Sequence, residues 1–322
     1  MVPADPSHSS ATVAQLGEFE LIRTVTTGMP QPRTTLLGPG DDAAVVTAAD
    51  GRVVATNDVL VEGVHFRLDW STPEQVGAKA VAVNLADLAA MGAVPTAVLI
   101  GLACPADTPA EVVQGLFTGL KKEAAAQGAG IVGGDMVTAP VITISVTALG
   151  DMEGRDPVLR SGAQPGDVLA VCGKLGWAAA GLAVLGRGFR SPVAVVGAQR
   201  TPEPPYAAGP KAAAYGARSM IDISDGLIAD LGHIAAASHV AIDVHSAKVP
   251  VAPRLHEVAA ALGADALVWA LTGGEDHALA ATFPYQLPLP SGWTAIGTVT
   301  KGAGVTVDGR EYDGVHGWEH WK

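Results

Sequence analysis

Met220-Ile221-Asp222-Ile223-Ser224-Asp225-Gly226 reads as a strand that ends in carboxylates and turns at once into a helix running from Leu227 to about Ser238. Strand alternation sends Asp222 and Ser224 to one side and Ile223 to the other. Asp225-Gly226 supplies the turn. Asp225 could be no more than a helix cap there, but a cap leaves Asp222 unexplained. The same order, a short apolar run and then an acid beside Gly or a small polar residue, recurs at Val53-Val54-Ala55-Thr56-Asn57-Asp58 and Ile131-Val132-Gly133-Gly134-Asp135. It recurs again after Leu271 as Thr272-Gly273-Gly274-Glu275-Asp276. Each copy predicts carboxylates at a strand end.

Helical patterns lie between these segments. Pro73 to Gly92 is the clearest, with Ser71 or Thr72 as cap, Pro73 in the first turn and Gly92 as stop. Pro109 to Gly128 reads likewise. Strands alternating with helices indicate a mixed α/β or α+β architecture. At about 150 residues per domain, 322 residues predict two domains. Charge and turn residues concentrate over 151–157 and 164–167, which places the break near residue 155. The expected organisation is a loose tail over 1–16, an N-terminal domain over 17–154 and a C-terminal domain over 155–322.

Composition excludes several classes. The formal charge is −12, opposite to the footprint of a nucleic-acid binder. Only 16% of residues are charged while 48% are apolar, too apolar a mix for disorder. The longest apolar stretch, around Ala93 to Ala106, contains Pro95 and Pro105 and falls short of the ~18 residues of a membrane span. Cys104 and Cys172 sit singly in apolar runs, as reduced core thiols would. The first sixteen residues lack the basic start and apolar core of a signal peptide. The reading is a cytoplasmic protein with no membrane and no nucleic-acid partner.

In a chain so sparsely charged, the acids are informative. Asp41 and Asp42 are adjacent in the Gly-rich turn Gly38-Pro39-Gly40-Asp41-Asp42-Ala43. Asp87 lies in a helix, Val81 to Met91, that is apolar around nearly its whole circumference and therefore expected to be buried. Asn84 stands one turn before it on the same face, and a buried carboxylate needs a partner or a metal. Asp42, Asp58, Asp87, Asp135, Asp222 and Asp225 form a set that ordinary surface charge explains poorly. Oxygen-only ligands suit hard cations, Mg²⁺ before Ca²⁺ or Mn²⁺. Because Mg²⁺ usually takes one or two carboxylates plus phosphates and water, six acids imply several ions and a polyphosphate ligand.

Other nucleotide and hydrolase signatures fail. Gly128-Ala129-Gly130-Ile131-Val132-Gly133 matches a dinucleotide fingerprint in letters but follows a helix and enters a strand, the reverse of the required order. The chain contains no Walker A loop, no G-x-S-x-G elbow and no H-E-x-x-H.

Taken in order, the motifs resemble the thiamine-monophosphate kinase family, within the superfamily of aminoimidazole ribonucleotide synthetase and selenophosphate synthetase. They are Gly38-Pro39-Gly40-Asp41-Asp42-Ala43, Asp58-Val59-Leu60-Val61-Glu62-Gly63-Val64-His65-Phe66 and Asn84-Leu85-Ala86-Asp87-Leu88-Ala89-Ala90-Met91-Gly92. Gly133-Gly134-Asp135, Arg160 to Asp167, Asp222 to Leu227 and Gly273-Gly274-Glu275-Asp276 complete the set. The resemblance implies a two-domain aminoimidazole ribonucleotide synthetase-like fold, homodimeric through its first domain. It implies phosphoryl transfer from ATP to thiamine monophosphate, giving thiamine diphosphate and ADP. By motif position, Asp42, Thr56, Asn57, Asp58, Asp87, Asp135, Asp222 and Asp225 would serve Mg²⁺. Gly134, Asp135, Arg160 and Ser224 would serve ATP. His65, Glu275 and Trp321 would face the thiamine substrate. Three positions depart from the family pattern: Asn57 replaces a Thr, His277-Ala278 replaces an aromatic-acid pair, and Trp321 stands where Phe is common.

The implied chemistry needs no general base. The acceptor is a phosphate monoester with a second pKa of roughly 6, so its oxygen is already largely deprotonated. The obstacle is repulsion, about 4 kcal/mol per pair of unit charges ~4 Å apart at an effective dielectric near 20. Several Mg²⁺ ions between the phosphates would offset it and favour direct in-line transfer. Two other readings stay open. A selenophosphate synthetase-like enzyme needs a reactive Cys near the N-terminus, whereas the first Cys here is Cys104. An acid-rich cation-binding protein would bind metal without ATP turnover.

Overall fold

The computed structural model describes residues 11–39 and 43–318. Two compact units interleave in sequence. The first gathers 1–47, 57–81 and 96–148, and the second 48–56, 82–95 and 149–322.

In chain order the first elements are α1 (Val13–Leu16), α2 (Glu18–Thr26), β1 (Thr35–Leu37), β2 (Val45–Val46) and β3 (Val54–Val61). There follow α3 (Pro73–Ala90), β4 (Val94–Cys104), α4 (Ala110–Ala126), β5 (Gly130–Thr138) and β6 (Thr143–Asp151). Thr12 to Leu16, read from sequence as part of a tail, form a helical turn closed by a Thr12/Gln15 capping box. α3 begins where Pro73 and Thr72 predict. Gln75 N–H donates to Thr72 Oγ1 (3.3 Å) and Thr72 N–H to Gln75 Oε1 (3.0 Å). Gly92, at φ 77°, ends it.

β3, β6, β4 and β5 form one sheet in that order, with β4 and β5 parallel and a bulge between Val98 and Leu99. Its inward face carries Leu60, Val98, Ile100, Leu102, Ile144 and Val146, all buried. Asn57, Val59, Leu99, Val137, Thr143, Ser145 and Thr147 alternate onto the opposite, more open face. α3 and α4 cross at glycine: a Cβ on Gly77 would lie 2.0 Å from the Leu116 carbonyl oxygen, and one on Gly119 would lie 1.9 Å from that of Glu74.

The remaining elements are β7 (Val168–Cys172), α5 (Trp177–Gly186), α6 (Val193–Arg200), α7 (Ala208–Ala214), β8 (Ser219–Ile223), α8 (Leu227–Ser238) and β9 (Ala241–Val244). α9 (Pro253–Leu262), α10 (Ala266–Thr272), β10 (Ala278–Phe283), β11 (Thr294–Thr300), β12 (Gly304–Val307) and β13 (Arg310–Glu311) complete the chain. Seven strands pair in the order β13-β12-β9-β11-β7-β10-β8, antiparallel except for β12 beside β9. β8 and β10 are buried throughout. Ile221, Ile223, Ala278 and Ala280 pack with α8 and α10 on one face. Met220, Leu279, Ala281 and Phe283 pack on the other with Ala212 of α7 and with Ala89 and Ala90 at the end of α3. Among the described residues no single helix is long and apolar enough to cross a membrane.

Three expectations change. Asp58 and Asp135 lie inside β3 and β5, not at strand ends, because apolar residues continue both strands beyond them. Residues 266–272 are helical, so Glu275-Asp276 open a strand and do not close one. α3 is buried all round from Val81 onward as expected, but Asp87 itself is only half-buried, while Asn84 is fully buried.

Candidate active site

Asp222 reaches the end of β8 on the face opposite Ile221 and Ile223, the face packed by the end of α3. It is 4% exposed. Its Oδ2 meets Nδ1 of His277 at 3.0 Å. His277 entered the sequence reading only as a departure from the family pattern. Two residues before the packed Ala89, the Asp87 carboxylate accepts a hydrogen bond from Thr56 Oγ1 (2.6 Å). Ala90, one helical turn after Asp87, packs with Met220 on the face of β8 that also carries Asp222.

Ser224 and Asp225 form the loop between β8 and α8. Gly226 occupies the cap position and offers no side chain. Asp230, one turn into α8, does the capping that the sequence allowed to Asp225. Its Oδ2 accepts the N–H groups of Ser224, Asp225 and Gly226, each at 3.1 Å. Burial, and then the charge of Asp222, push the Asp230 carboxyl up to about 7. On the opposite side of the loop, Glu275 N–H donates to Ser224 O (2.8 Å) and Trp318 N–H donates to Asp225 O (3.0 Å). Glu275 holds its place at φ 66°. Its neighbour Asp276 turns inward, accepts the N–H groups of Gly176 and Ala178 at the start of α5, and is pushed up to about 7 by burial.

Arg160 is exposed, in a turn over Arg160–Gly162. Its carbonyl accepts a hydrogen bond from Ser238 Oγ (2.7 Å), at the far end of α8. That helix of 12 residues rises roughly 18 Å, so the Arg160 backbone stands near the end of that helix remote from Ser224. The buried acid of the same motif, Asp167, is structural and pairs with Arg218 at 2.7 Å.

In the first unit, Asn57 turns to the open sheet face, where Nδ2 donates to Ser145 Oγ (3.0 Å) and Thr147 Oγ1 (2.9 Å). Asp58, next in the strand, points to the other face. Asp135 is exposed beside a shallow hollow of about 210 Å³ lined by Gly101, Ala103, Val137, Thr143 and Ser145. Its Oδ1 accepts the Met136 N–H (2.9 Å). Gly134 answers to packing: a Cβ there would lie 2.0 Å from Ile100 O. His65 Nδ1 accepts the Val61 N–H (3.0 Å), which places the proton of a neutral ring on Nε2. The buried Lys79 ammonium donates to the His65 carbonyl (3.0 Å). Asp42 and Trp321 lie outside the described residues.

Among the described residues, no three His, Cys, Asp or Glu side chains gather into a ready metal cage. The oxygen donors come as pairs and short loops. Mg²⁺ commonly uses one or two carboxylates and completes its shell with phosphate oxygens and water, so this donor set fits it.

Sequence comparison places the chain in a family. AIR synthase related protein models match residues 40–152 (N-terminal domain) and 164–310 (C-terminal domain). A thiamine-monophosphate kinase of Mycobacterium tuberculosis is 52% identical over 312 residues, covering 96% of this chain and 93% of the relative. The chain belongs to the thiamine-monophosphate kinase family. A Corynebacterium glutamicum family member is 44% identical over 92% of this chain and 90% of its own. A solved structure of the family, AaThiL complexed with AMPPCP and TMP, superposes with a TM-score of 0.79 at 33% identity, covering 98% of this chain and 100% of that one. The kinase family fold, two AIR synthase related domains of mixed helix and sheet, is the fold described above.

Proposed function

We propose that this chain transfers the terminal phosphoryl group of ATP to thiamine monophosphate, giving thiamine diphosphate and ADP. One observation carries the reading beyond family membership. The carbonyl groups of a single loop, Ser224 and Asp225, receive the amides of Glu275 and Trp318. Ser224, assigned to the nucleotide, and Glu275, assigned to the acceptor, thus share one scaffold.

Thr56, Asp58, Asp87, Asp135, Asp222 and Asp225 would hold Mg²⁺, with Asp42 completing the set. Bound there, the metal would neutralise phosphate charge and align the two phosphates. The Asn57 side chain, engaged with Ser145 and Thr147, could contribute only if it left them. The protein's own part is positioning. Ser224 presents a hydroxyl at the head of α8, with Gly134 and Asp135 on the nucleotide side. Arg160 offers a fixed cation to the nucleotide. His65, held by the Val61 amide on Nδ1, would face the thiamine substrate, and the Glu275 carboxylate complements the cationic thiazolium. Trp321 would stack on that ring system. No side chain is needed as a base, because the attacking phosphate oxygen is already ionised near neutral pH.

The domains are taken as 17–154, carrying most metal ligands and the dimer contact, and 155–322, completing the site. The open face of the β3-β6-β4-β5 sheet, with Val59 43% and Val137 55% exposed, supports self-association there. The cytoplasm, where ATP and the vitamin phosphate are present, is the proposed compartment. The test is an ADP-coupled assay with thiamine monophosphate, with one arm lacking Mg²⁺ and one containing thiamine in place of its phosphate. Activity should require both the metal and the phosphorylated vitamin. Equal rates with thiamine would overturn the substrate assignment.

A further inference from the structure

We infer that Asp230 is a positioning residue that sets three successive peptide planes, and through them seats both the acceptor-side residues and the partner of Asp222. The inference rests on the proposed kinase reading for its functional meaning, but its structural content stands separately.

A trans peptide unit is planar and points its N–H and C=O in opposite directions. Three consecutive units cross the loop after β8. Their N–H groups, on Ser224, Asp225 and Gly226, all point at Asp230 Oδ2, at 3.1 Å each. Their C=O groups, on Ile223, Ser224 and Asp225, must then face away from Asp230. They accept the amides of His277 (2.9 Å), Glu275 (2.8 Å) and Trp318 (3.0 Å), in that order. One buried oxygen on one side thus fixes three docking points on the other.

Each docking point bears on the site. His277 carries the ring that meets Asp222. Glu275 is the acceptor-side carboxylate. Trp318 leads into the C-terminal residues that include Trp321. Space is closed around this arrangement: a Cβ on Gly317 would lie 2.6 Å from Asp225 O, and one on Gly274 would lie 2.4 Å from Ser224 O. A rotated peptide would therefore displace a neighbour rather than be absorbed. Asp230 is 2% exposed, so no water competes freely for the three amides. Converging amides of this kind ordinarily bind an anion from outside. Here the chain fills the nest with its own carboxylate, leaving the loop's side chains to face the ligands.

Amide hydrogen exchange on the full-length protein without substrates, comparing wild type with Asp230→Ala and Asp230→Asn, tests this. In Asp230→Ala, exchange should quicken roughly tenfold or more in the segments containing residues 224–226, 275–277 and 318, with β11 unchanged. Asp230→Asn retains one acceptor oxygen and should fall between. Turnover should follow the same order. If Asp230→Ala does not fold, the graded change in Asp230→Asn decides alone. Wild-type exchange at 275–277 and 318 in the variants, or acceleration spread evenly over the unit, would overturn the inference. So would full turnover in Asp230→Ala. Should the wild-type protein make no thiamine diphosphate while the exchange pattern changes as stated, the kinase reading fails and the positioning role remains.

Discussion

The side chains of His277 and Asp222 are 8% and 6% exposed, with Nδ1 and Oδ2 3.0 Å apart. His277 grips the end of β8 twice, through this ring and through its amide on Ile223 O. Replacing the ring by an apolar one strands a buried carboxylate oxygen. His277→Phe should therefore cost about 1.5–3 kcal/mol, seen as a fall in melting temperature of several degrees. His277→Asn, which keeps a donor, should recover part of the loss. Unchanged melting in His277→Phe would show that the pair contributes nothing.

Asp276 makes stability depend on pH. Burial raises its folded-state pKa to about 7, above the unfolded value near 4. Stability from this group is complete below the unfolded value and is lost as pH rises through the folded one. Wild-type protein should melt at a lower temperature at about pH 8 than at about pH 5.5, and Asp276→Asn should narrow that gap. An equal gap in both proteins would remove Asp276 as its source.

Neighbouring Thr56 and Asn57 should behave oppositely. Thr56 supports Asp87, whereas Asn57 faces Ser145 and Thr147 across the strand. Removing the hydroxyl in Thr56→Val should raise the Mg²⁺ concentration for half-maximal rate by roughly tenfold. Asn57→Thr, which keeps a polar side chain on the same sheet face, should change it by less than about twofold. A metal titration of each variant decides, and a large shift in Asn57→Thr would return its side chain to the metal.

The α3–α4 crossing should not tolerate a methyl group. A Cβ at Gly119 would lie 1.9 Å from the Glu74 carbonyl oxygen, a backbone atom that cannot rotate aside. Gly119→Ala should destabilise by about 1–3 kcal/mol or more, measurable by chemical denaturation, whereas Gly128→Ala meets no atom within 4 Å and acts only through its backbone conformation.

Local periodicity made parts of this molecule readable. Pro73, Thr72 and Gly92 mark α3 because caps and stops are chemical requirements of helix ends, and the alternation around Asp222 correctly separates it from Ile223. Residues 266–272 were misread because a short apolar run does not distinguish strand from helix. The signal that could have corrected it was Asp265, whose side chain accepts the Leu267 amide (2.8 Å) and caps the helix. Asp230 was not legible, since an acid in a first helical turn is common and its partners are backbone amides, which carry no sequence identity. The joining of Thr56 to Asp87 and of His277 to Asp222 spans 31 and 55 residues. Spacing could not supply those contacts; the ordered motifs grouped Thr56 with Asp87 as metal residues but gave no sign of the His277–Asp222 pair.

Transfer of label from γ-³²P-ATP tests the central claim most directly, with wild-type protein, Mg²⁺ and thiamine monophosphate, beside Asp222→Asn. The label should appear in thiamine diphosphate with none retained on the protein, and Asp222→Asn should remain folded yet transfer none. Label released only as inorganic phosphate, or transfer undiminished in Asp222→Asn, would contradict the account.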